Sequence, residues 1–247
     1  MLMAIIGGAG LVGTFTVPWL ARHHQVRVLD RKPSPVAGIQ SVVGDACSPD
    51  DVAAAVDGSD VVVHMAAVIP SHDRPDPAMV RAAFDVNVAS IHLALNASAA
   101  AGVRSFVHIS TMSVYEQYAK VTIDPAAPPD ATRPYGLTKR LGEQVCAAVA
   151  PGLGLAACSL RLVYPTADEH WPRWRAADDD HRPRTMRMRT GRQIPVLAAS
   201  DLAAAVTAAA AYRGPYRPFT ITADVEGVSV RPDDTGDVLG WRATRVP

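Results

Sequence analysis

The chain begins MLMAIIGGAGLVG, residues 1–13, and this stretch decides the fold. Its apolar run at 2–6 predicts a strand, glycines follow in the spacing Gly7-x-x-Gly10-x-x-Gly13, and a helical pattern begins directly after them. Strand, glycine turn and helix in that order let backbone N–H groups approach a pyrophosphate at a helix N-terminus. A plain strand–helix turn is the alternative. The candidate cofactor contacts in the turn are Gly7, Gly10, Leu11, Val12 and Gly13.

The second predicted strand, residues 25–29, closes on Asp30 and Arg31. An acidic residue about twenty positions after the glycine turn accepts hydrogen bonds from the adenosine ribose hydroxyls and repels a 2′-phosphate. Asp30 therefore favours NAD over NADP. Arg31 keeps NADP open, because a guanidinium can stack on adenine or accept a phosphate.

Strands and helices alternate through the first 163 residues. Further strands are predicted at 41–43, 60–67, 105–109 and 155–163, and helices at 49–56, 78–101 and from 134 onward. This alternation predicts an α/β fold with a Rossmann-type, doubly wound parallel sheet. We expect residues 1–165 to form an NAD(P)-binding Rossmann domain. Residues 166–247 would form a small C-terminal substrate-binding region, of which 199–212 packs back on the Rossmann domain.

Composition excludes several classes of protein. The 247 residues carry 24 basic and 24 acidic side chains, which argues against a nucleic-acid or membrane-surface partner. Three cysteines without a C-x-x-C pair predict a reduced, cytoplasmic compartment, and the histidines show no metal-ligand spacing, so no metal is expected. The apolar start is short for a signal peptide, and no apolar run approaches the roughly 20 residues of a membrane span.

A tyrosine and a lysine stand four positions apart in Arg133-Pro134-Tyr135-Gly136-Leu137-Thr138-Lys139. Pro134 suits the first turn of a helix, so Tyr135 and Lys139 would lie on one helix face. An ammonium below the phenol favours the ionised form of a tyrosine, whose pKa is otherwise about 10. Chance rarely produces such a pair in a chain with only three lysines. The spacing indicates a catalytic tyrosine.

These features resemble the extended short-chain dehydrogenase/reductases, and among them the NAD-dependent epimerase/dehydratase family. The resemblance covers about residues 2–205. Besides the glycine turn and Tyr135-x-x-x-Lys139, it rests on Asp30, Gly44-Asp45, His64-Met65-Ala66-Ala67, Asn87, Ser110-Thr111-Met112-Ser113-Val114-Tyr115, Leu160-Arg161-Leu162-Val163-Tyr164-Pro165 and Ser200-Asp201-Leu202-Ala203.

The resemblance implies a role for each matching position. Tyr135 would move the substrate hydroxyl proton, Lys139 would hold the nicotinamide ribose, and Thr111 would hydrogen-bond the reacting oxygen. Asp45 and Ala46 would lie along the adenine, and Ala66 and Ala67 near the pyrophosphate. The family implies NAD as the cofactor and a homodimer that forms through the Tyr135 helix.

Two differences from the sugar-nucleotide enzymes of the family limit the reactions that this chain is expected to catalyse. Sugar-nucleotide dehydratases of the family have Asp-Glu after the threonine, where this chain has Met112-Ser113, so 4,6-dehydration is not expected. Ser113 is instead a candidate substrate contact beside Thr111 and Tyr135. The small size and the Leu239-Gly240-Trp241 ending resemble the compact uronate dehydrogenase-like members.

Positive charge concentrates after Pro165. Arg173 is the candidate substrate residue there, because a guanidinium can clamp a carboxylate or phosphate through paired hydrogen bonds. The acidic run 178–180 lies nearby, so a solvated loop with offsetting charges is the alternative.

The sequence thus predicts an NAD(P)-dependent oxidoreductase that transfers hydride to or from a secondary alcohol or ketone of a small polar, sugar-like or natural-product molecule. Two alternatives stay open. One is an epimerase that retains its NAD and returns the hydride to the opposite face. The other is a non-catalytic NAD(P)-sensing protein, against which the intact Tyr135 and Lys139 argue.

Overall fold

The computed structural model describes residues 1–71, 74–175 and 182–246. Its centre is a seven-stranded sheet in the order β3-β2-β1-β4-β5-β6-β9, and every neighbouring pair is parallel. This confirms the predicted α/β, Rossmann-type fold. The strands are β1 (Leu2–Ile6), β2 (Gln25–Asp30), β3 (Gln40–Val43), β4 (Val61–His64), β5 (Ser105–Thr111), β6 (Ala156–Leu162), β7 (Pro165–Thr166), β8 (Leu197–Ala198) and β9 (Arg217–Ile221), of which β7 and β8 pair separately.

Helices cover both faces of the sheet. They are α1 (Leu11–Leu20), α2 (Pro49–Val56), α3 (Pro77–Phe84), α4 (Ser90–Ala100), α5 (Pro134–Val149), α6 (Ala199–Ala211) and α7 (Thr235–Leu239). The side chains of α1 and α6 share one hydrophobic core with the strands, and those of α2, α4 and α5 share the other. Burial on both faces explains why the strands are almost continuously apolar.

Local chemistry sets the helix starts. Ser48 caps α2, because its hydroxyl accepts the N–H of Asp51, and Pro49 follows in the first turn. Pro134 likewise opens α5, at the position that the sequence predicts. Gly102 follows α4 with a φ of +70°, a left-handed backbone that suits glycine after a helix end.

The helix predicted at 78–101 contains an irregularity. A π-helical turn, Asp85–Ala89, joins α3 to α4, and its Asn87 is fully buried. Asn87 accepts the N–H of Val68 and donates to the Val68 carbonyl and to Oγ1 of Thr138. The π turn thereby joins the segment after β4 to α5.

Among the described helices, the run 77–100 alone is long and apolar enough, by length and composition, to cross a membrane, contrary to the expectation that no apolar run approaches that length. Its second half packs between α2 and α5, where Ile91, Ala94 and Leu95 are fully buried. Such a core helix passes the same test as a membrane span.

The C-terminal region completes the main sheet. β9 adds the seventh strand, and α6 packs beside α1. The buried carboxylate of Asp201 in α6 accepts hydrogen bonds from the backbone N–H groups of Thr244 and Arg245 and from the Thr244 hydroxyl. Trp241 donates its indole N–H to the Asp201 carbonyl. The last described residues are therefore held against the start of α6.

Candidate active site

The turn between β1 and α1 leaves the N-terminus of α1 open. Gly10 is the N-cap residue, and no side chain among the described residues caps the helix. The first N–H groups of a helix, here at Leu11 and Val12, have no intrahelical partner and carry the positive end of the dipole. The half-exposed Leu11 shows that this end faces outward. The turn therefore offers donors to an anion.

Two glycines make this approach sterically possible. Gly7 has a φ of +85°, and a Cβ there would overlap the Cα of Ala66, just after β4. A Cβ on Gly13 would collide with the Gly8 carbonyl. Side chains at either position would push the turn away from the sheet edge.

Asp30 ends β2 beside this turn. Its Oδ2 accepts the N–H of Ala9 at 2.9 Å, which ties the carboxylate to the glycine turn. A carboxylate has several lone pairs, so acceptor capacity is left for ribose hydroxyls. Arg31 follows at the surface, exposed.

The residues predicted to lie along the adenine and pyrophosphate are at the same sheet edge. Asp45 is exposed, and its Oδ1 accepts the N–H of Cys47. Ala46 is partly buried beside it, and Ala67 is exposed after β4. Each of these positions is open to a ligand lying across the strand ends.

Three hydroxyl side chains meet where β5 ends. Thr111 is the last residue of β5, two residues beyond the predicted strand end, and its hydroxyl donates to Oγ of Ser113 at 3.2 Å. Tyr135 reaches the same place from the first turn of α5. Burial raises the pKa of Tyr135 to about 12, and its hydrogen bond with Thr111 acts in the opposite direction.

Lys139 lies one turn further along α5 and is 1% exposed. Its Nζ lies 3.0 Å from Nε2 of His108 in β5. Burial lowers the pKa of Lys139 to about 8. The sequence predicts that the ammonium favours ionised Tyr135. In the structure it is directed to His108, and burial outweighs other influences on the pKa of Tyr135.

A cavity of about 270 Å³ opens beside Tyr135. Each described residue of its wall precedes Pro165. The wall consists of Ile69, Pro70, Ser71, Ser113, Tyr115, Glu116, Tyr118, Lys120, Ala131, Arg133, Pro134, Tyr135, Gly136 and Tyr164. It is therefore rich in phenol rings and carries both signs of charge.

Three tyrosines of this wall, Tyr115, Tyr118 and Tyr164, are not among the site residues predicted from the sequence. The rings of Tyr118 and Tyr164 have centroids 5.6 Å apart. Tyr164 adopts a φ of +39°, which is uncommon for a non-glycine residue and marks a local constraint. Tyr115 accepts a hydrogen bond from Arg161. The Val-Tyr pairs at 114–115 and 163–164 were the available signals.

Arg173 is not brought to this cavity. It is exposed, and its described contacts are made by its backbone, which donates to the His170 carbonyl and accepts from Thr166. Its segment instead borders a second cavity of about 480 Å³, between α1 and residues 166–175. The acidic run 178–180 lies outside the described residues.

The donor set fits a dinucleotide. The glycine turn would supply N–H groups to its pyrophosphate, Asp30 would accept from its ribose, and Thr111, Ser113 and Tyr135 would be the polar groups where a nicotinamide would end. Within 1–71, 74–175 and 182–246, no three His, Cys, Asp or Glu side chains are grouped as a metal site.

The chain is similar to proteins of known kind. Residues 3–216 match the model of the NAD dependent epimerase/dehydratase family. The L-arabinose 1-dehydrogenase (NAD(P)(+)) of Haloferax volcanii is 31% identical over 181 residues, which cover 68% of each chain. The 3-beta-hydroxysteroid dehydrogenase of Mycolicibacterium neoaurum is 34% identical over 169 residues, which cover 64% of this chain but 45% of that protein. The chain thus spans about half the length of this second relative.

The structure of uronate dehydrogenase from Agrobacterium tumefaciens superposes with a TM-score of 0.77 at 18% identity, covering 99% of this chain and 85% of that one. At this level of identity the likeness concerns the fold.

Proposed function

The chain belongs to the NAD-dependent epimerase/dehydratase family, as the sequence resemblance implied, and from this premise we propose that it is an NAD-dependent oxidoreductase. The proposed reaction is hydride transfer to or from a secondary alcohol or ketone in a small polar, sugar-like molecule. NADP is the weaker alternative cofactor, because the Asp30 carboxylate would repel a 2′-phosphate. The two relatives described above are named dehydrogenases, which supports this reaction class.

The observation that carries the proposal is the close approach of the Thr111 and Tyr135 hydroxyls at the edge of the cavity. A substrate oxygen placed between these hydroxyls accepts from both, and Ser113 adds a third polar contact. The bound cofactor would supply or accept the hydride. Met112 and Ser113 follow Thr111, so the acid that 4,6-dehydration requires at this place is missing.

Tyr135 is the proposed acid and base. With a pKa of about 12, its phenol is neutral at pH 7 and can give its proton to the oxygen of a ketone under reduction. In the oxidation direction the phenolate accepts the substrate proton, and the Thr111 hydroxyl stabilises that form.

The cavity favours a small substrate. Its volume of about 270 Å³ lies just below the roughly 300–1,000 Å³ of ligand pockets, and its tyrosine, lysine and arginine side chains suit a hydroxylated molecule. Residues 166–247 remain a proposed substrate region, supported by the second cavity, which Asp168 and Glu169 line.

The test is a screen for NADH or NADPH formation at 340 nm with aldoses including L-arabinose, uronates and 3β-hydroxysteroids. Tyr135→Phe should lose activity by roughly 10²–10⁴-fold while it still binds NADH. Tyr212→Phe is the matched control, because the Tyr212 hydroxyl lies away from Tyr135 and donates to the Pro215 carbonyl. Full activity in Tyr135→Phe would falsify the proposal.

The family description also covers epimerases, which supports a second candidate. An epimerase of this type holds its NAD and gives no net redox change. Release of one NADH per turnover therefore distinguishes the dehydrogenase. Absence of hydride transfer across the whole panel would favour the sensing protein.

We also propose a homodimer in the cytoplasm. The α5 side chains Leu137, Leu141 and Val145 are only half-buried, and Met79 and Phe84 of α3 are exposed. This apolar face fits a second copy of the chain, so Leu141→Arg should halve the mass measured by light scattering. The three cysteines are free, which supports a reduced compartment.

A further inference from the structure

A buried chain of polar side chains leads away from Lys139. Its Nζ lies 3.0 Å from Nε2 of His108, whose Nδ1 lies 3.0 Å from Oγ of Ser159. The Ser159 hydroxyl lies 2.8 Å from the hydroxyl of Tyr216. His108 and Ser159 are fully buried and directly opposite each other on β5 and β6. No other described feature of the proposed reaction uses these three residues.

The donors along this chain all point in one direction. An ammonium can only donate, so Nε2 of His108 must accept and its Nδ1 must carry the proton. The Nδ1–H group then donates to Ser159, whose own proton goes to the Tyr216 oxygen. The Tyr216 O–H then points away from Ser159. Each group from Lys139 to Tyr216 therefore donates a hydrogen bond to the next.

Tyr216 ends the chain at a solvent opening. It is partly exposed and lines a cavity of about 570 Å³ together with Arg104, Leu155 and Gly214. These residues precede β5, β6 and β9, so the cavity lies at the N-terminal edge of the sheet. Tyr135 lies at the C-terminal edge. The row of hydrogen-bonded side chains from Lys139 to Tyr216 therefore crosses the sheet from the active site to the opposite edge.

We propose that His108, Ser159 and Tyr216 form a proton path that connects Lys139 to solvent at the N-terminal edge of the sheet. The path rests on the proposed function, because oxidation of an alcohol by NAD releases one proton per turnover. One proton leaves Lys139 for Nε2 of His108, Nδ1 gives one to Ser159, Ser159 gives one to Tyr216, and Tyr216 gives one to water. Lys139 then takes up the proton that Tyr135 received from the alcohol, so each group gains and loses one proton, and reduction runs the same steps in reverse.

The surroundings of Lys139 are consistent with this role. Burial lowers its pKa to about 8, so it can change protonation near neutral pH. Burial and the Lys139 charge hold the pKa of His108 well below its usual range, so His108 is neutral at rest and accepts a proton as it releases one. Among the described residues, Glu143 and Cys146 of α5 and His64 of β4 also act on the pKa values of Lys139 and His108.

Asn87 is a buried amide that contacts α5, but it is not part of the proposed proton path. Its carboxamide is occupied by Val68 and Thr138. An amide engaged with both backbone groups of one residue holds the segment after β4 in place.

The first experiment needs no substrate. In protein labelled with ¹⁵N-histidine, NMR identifies the tautomer of His108 and measures how fast its ring N–H exchanges with water. We expect the Nδ1–H tautomer and rapid exchange, although the ring is fully buried. Tyr216→Phe should slow this exchange at least about tenfold, because the last O–H is missing. His64, fully buried and bonded to Ser90, is the slow internal reference.

Matched variants distinguish loss of the proton path from a general destabilisation of the fold. Tyr212→Phe removes a nearby hydroxyl outside the path, and Ser98→Ala removes a buried hydroxyl that donates to the Ala94 carbonyl. Both should leave exchange at His108 unchanged, whereas Ser159→Ala should slow it as Tyr216→Phe does. An Nε2–H tautomer at His108, or equal exchange in Tyr216→Phe and the wild type, overturns the proposal.

The second experiment uses an alcohol that the panel shows to be oxidised. Tyr216→Phe should lower kcat roughly tenfold with KM unchanged, and proton release seen with a pH dye should lag behind NADH formation. If no compound is oxidised, the proposed function fails, while the NMR result still decides whether the path exists.

Discussion

Arg161 grips the Glu143 carboxylate with two parallel hydrogen bonds, from Nε to Oε1 at 2.9 Å and from Nη2 to Oε2 at 2.7 Å. Both side chains are less than 10% exposed. Ser110 donates to the same carboxylate, and Arg161 also donates to the hydroxyl of Tyr115. One ion pair therefore joins β5, β6 and α5 directly behind the cavity.

Glu143→Gln should lower the free energy of unfolding by about 3–5 kcal/mol, because it leaves the guanidinium of Arg161 buried without its counter-charge. Urea unfolding followed by circular dichroism measures the loss. Asp237→Asn is the control: its pair with Arg242 is 77% and 75% exposed and should cost less than about 1 kcal/mol. Equal losses in the two variants would contradict a structural role for the buried pair.

Lys139→Met should remove activity and yet stabilise the protein at pH 7. The fold lowers the pKa of Lys139 from 10.5 to about 8, so the unfolded chain binds the proton more tightly. At 1.36 kcal/mol for each pH unit, the charged lysine costs up to about 3 kcal/mol below pH 8.

The sign fixes the pH window of this effect. Between about pH 8 and 10.5 the unfolded state holds more protons at this site, so the stability of the wild type should rise relative to Lys139→Met. Above that range the two proteins should differ little. Thermal melts of both proteins from pH 7 to 10.5 test this. A constant difference across the range would show that Lys139 is not buried as a charge.

Much of this fold follows from local pattern. The glycine turn, the alternation of strands and helices and the start of α5 at Pro134 are short-range signals, and each predicted element is present. The π turn at Asp85–Ala89 gave no such signal, because an inserted residue hardly changes the apolar pattern of a helix.

The site was less predictable where it depends on pairing between distant strands. His108 and Ser159 are 51 residues apart, and only the β5–β6 register brings them together. The wall formed by Tyr118 and Tyr164 depends on a left-handed backbone at Tyr164 that no residue type announces. Arg173 was predicted as a substrate residue from its charge alone. Its segment has no helical or strand periodicity, so the orientation of its side chain could not be predicted.

Asp30→Ser should weaken NAD binding and raise the ratio of NADP to NAD affinity at least about tenfold. The change removes the proposed ribose acceptor and the charge that repels a 2′-phosphate, while Arg31 remains beside it. Fluorescence titration with NADH and NADPH measures both affinities. Adding Arg31→Ala should reverse the NADPH gain, and an unchanged ratio in Asp30→Ser would place the adenosine elsewhere.

Comparing Gly7→Ala with Gly38→Ala separates the effect of close packing between the glycine turn and Ala66 from the effect of a positive φ. Both glycines have a positive φ, +85° and +77°, so alanine costs about 1–2 kcal/mol of backbone strain at either position. A Cβ at Gly38 meets nothing within 4 Å, whereas at Gly7 it overlaps the backbone of Ala66. Gly7→Ala should therefore lose about 1–3 kcal/mol more stability. It should also lose NADH binding, since the turn must shift from the strand end, while Gly38→Ala binds normally. Urea unfolding and NADH fluorescence measure the two effects, and equal behaviour of the variants would show that the turn tolerates a side chain against β4.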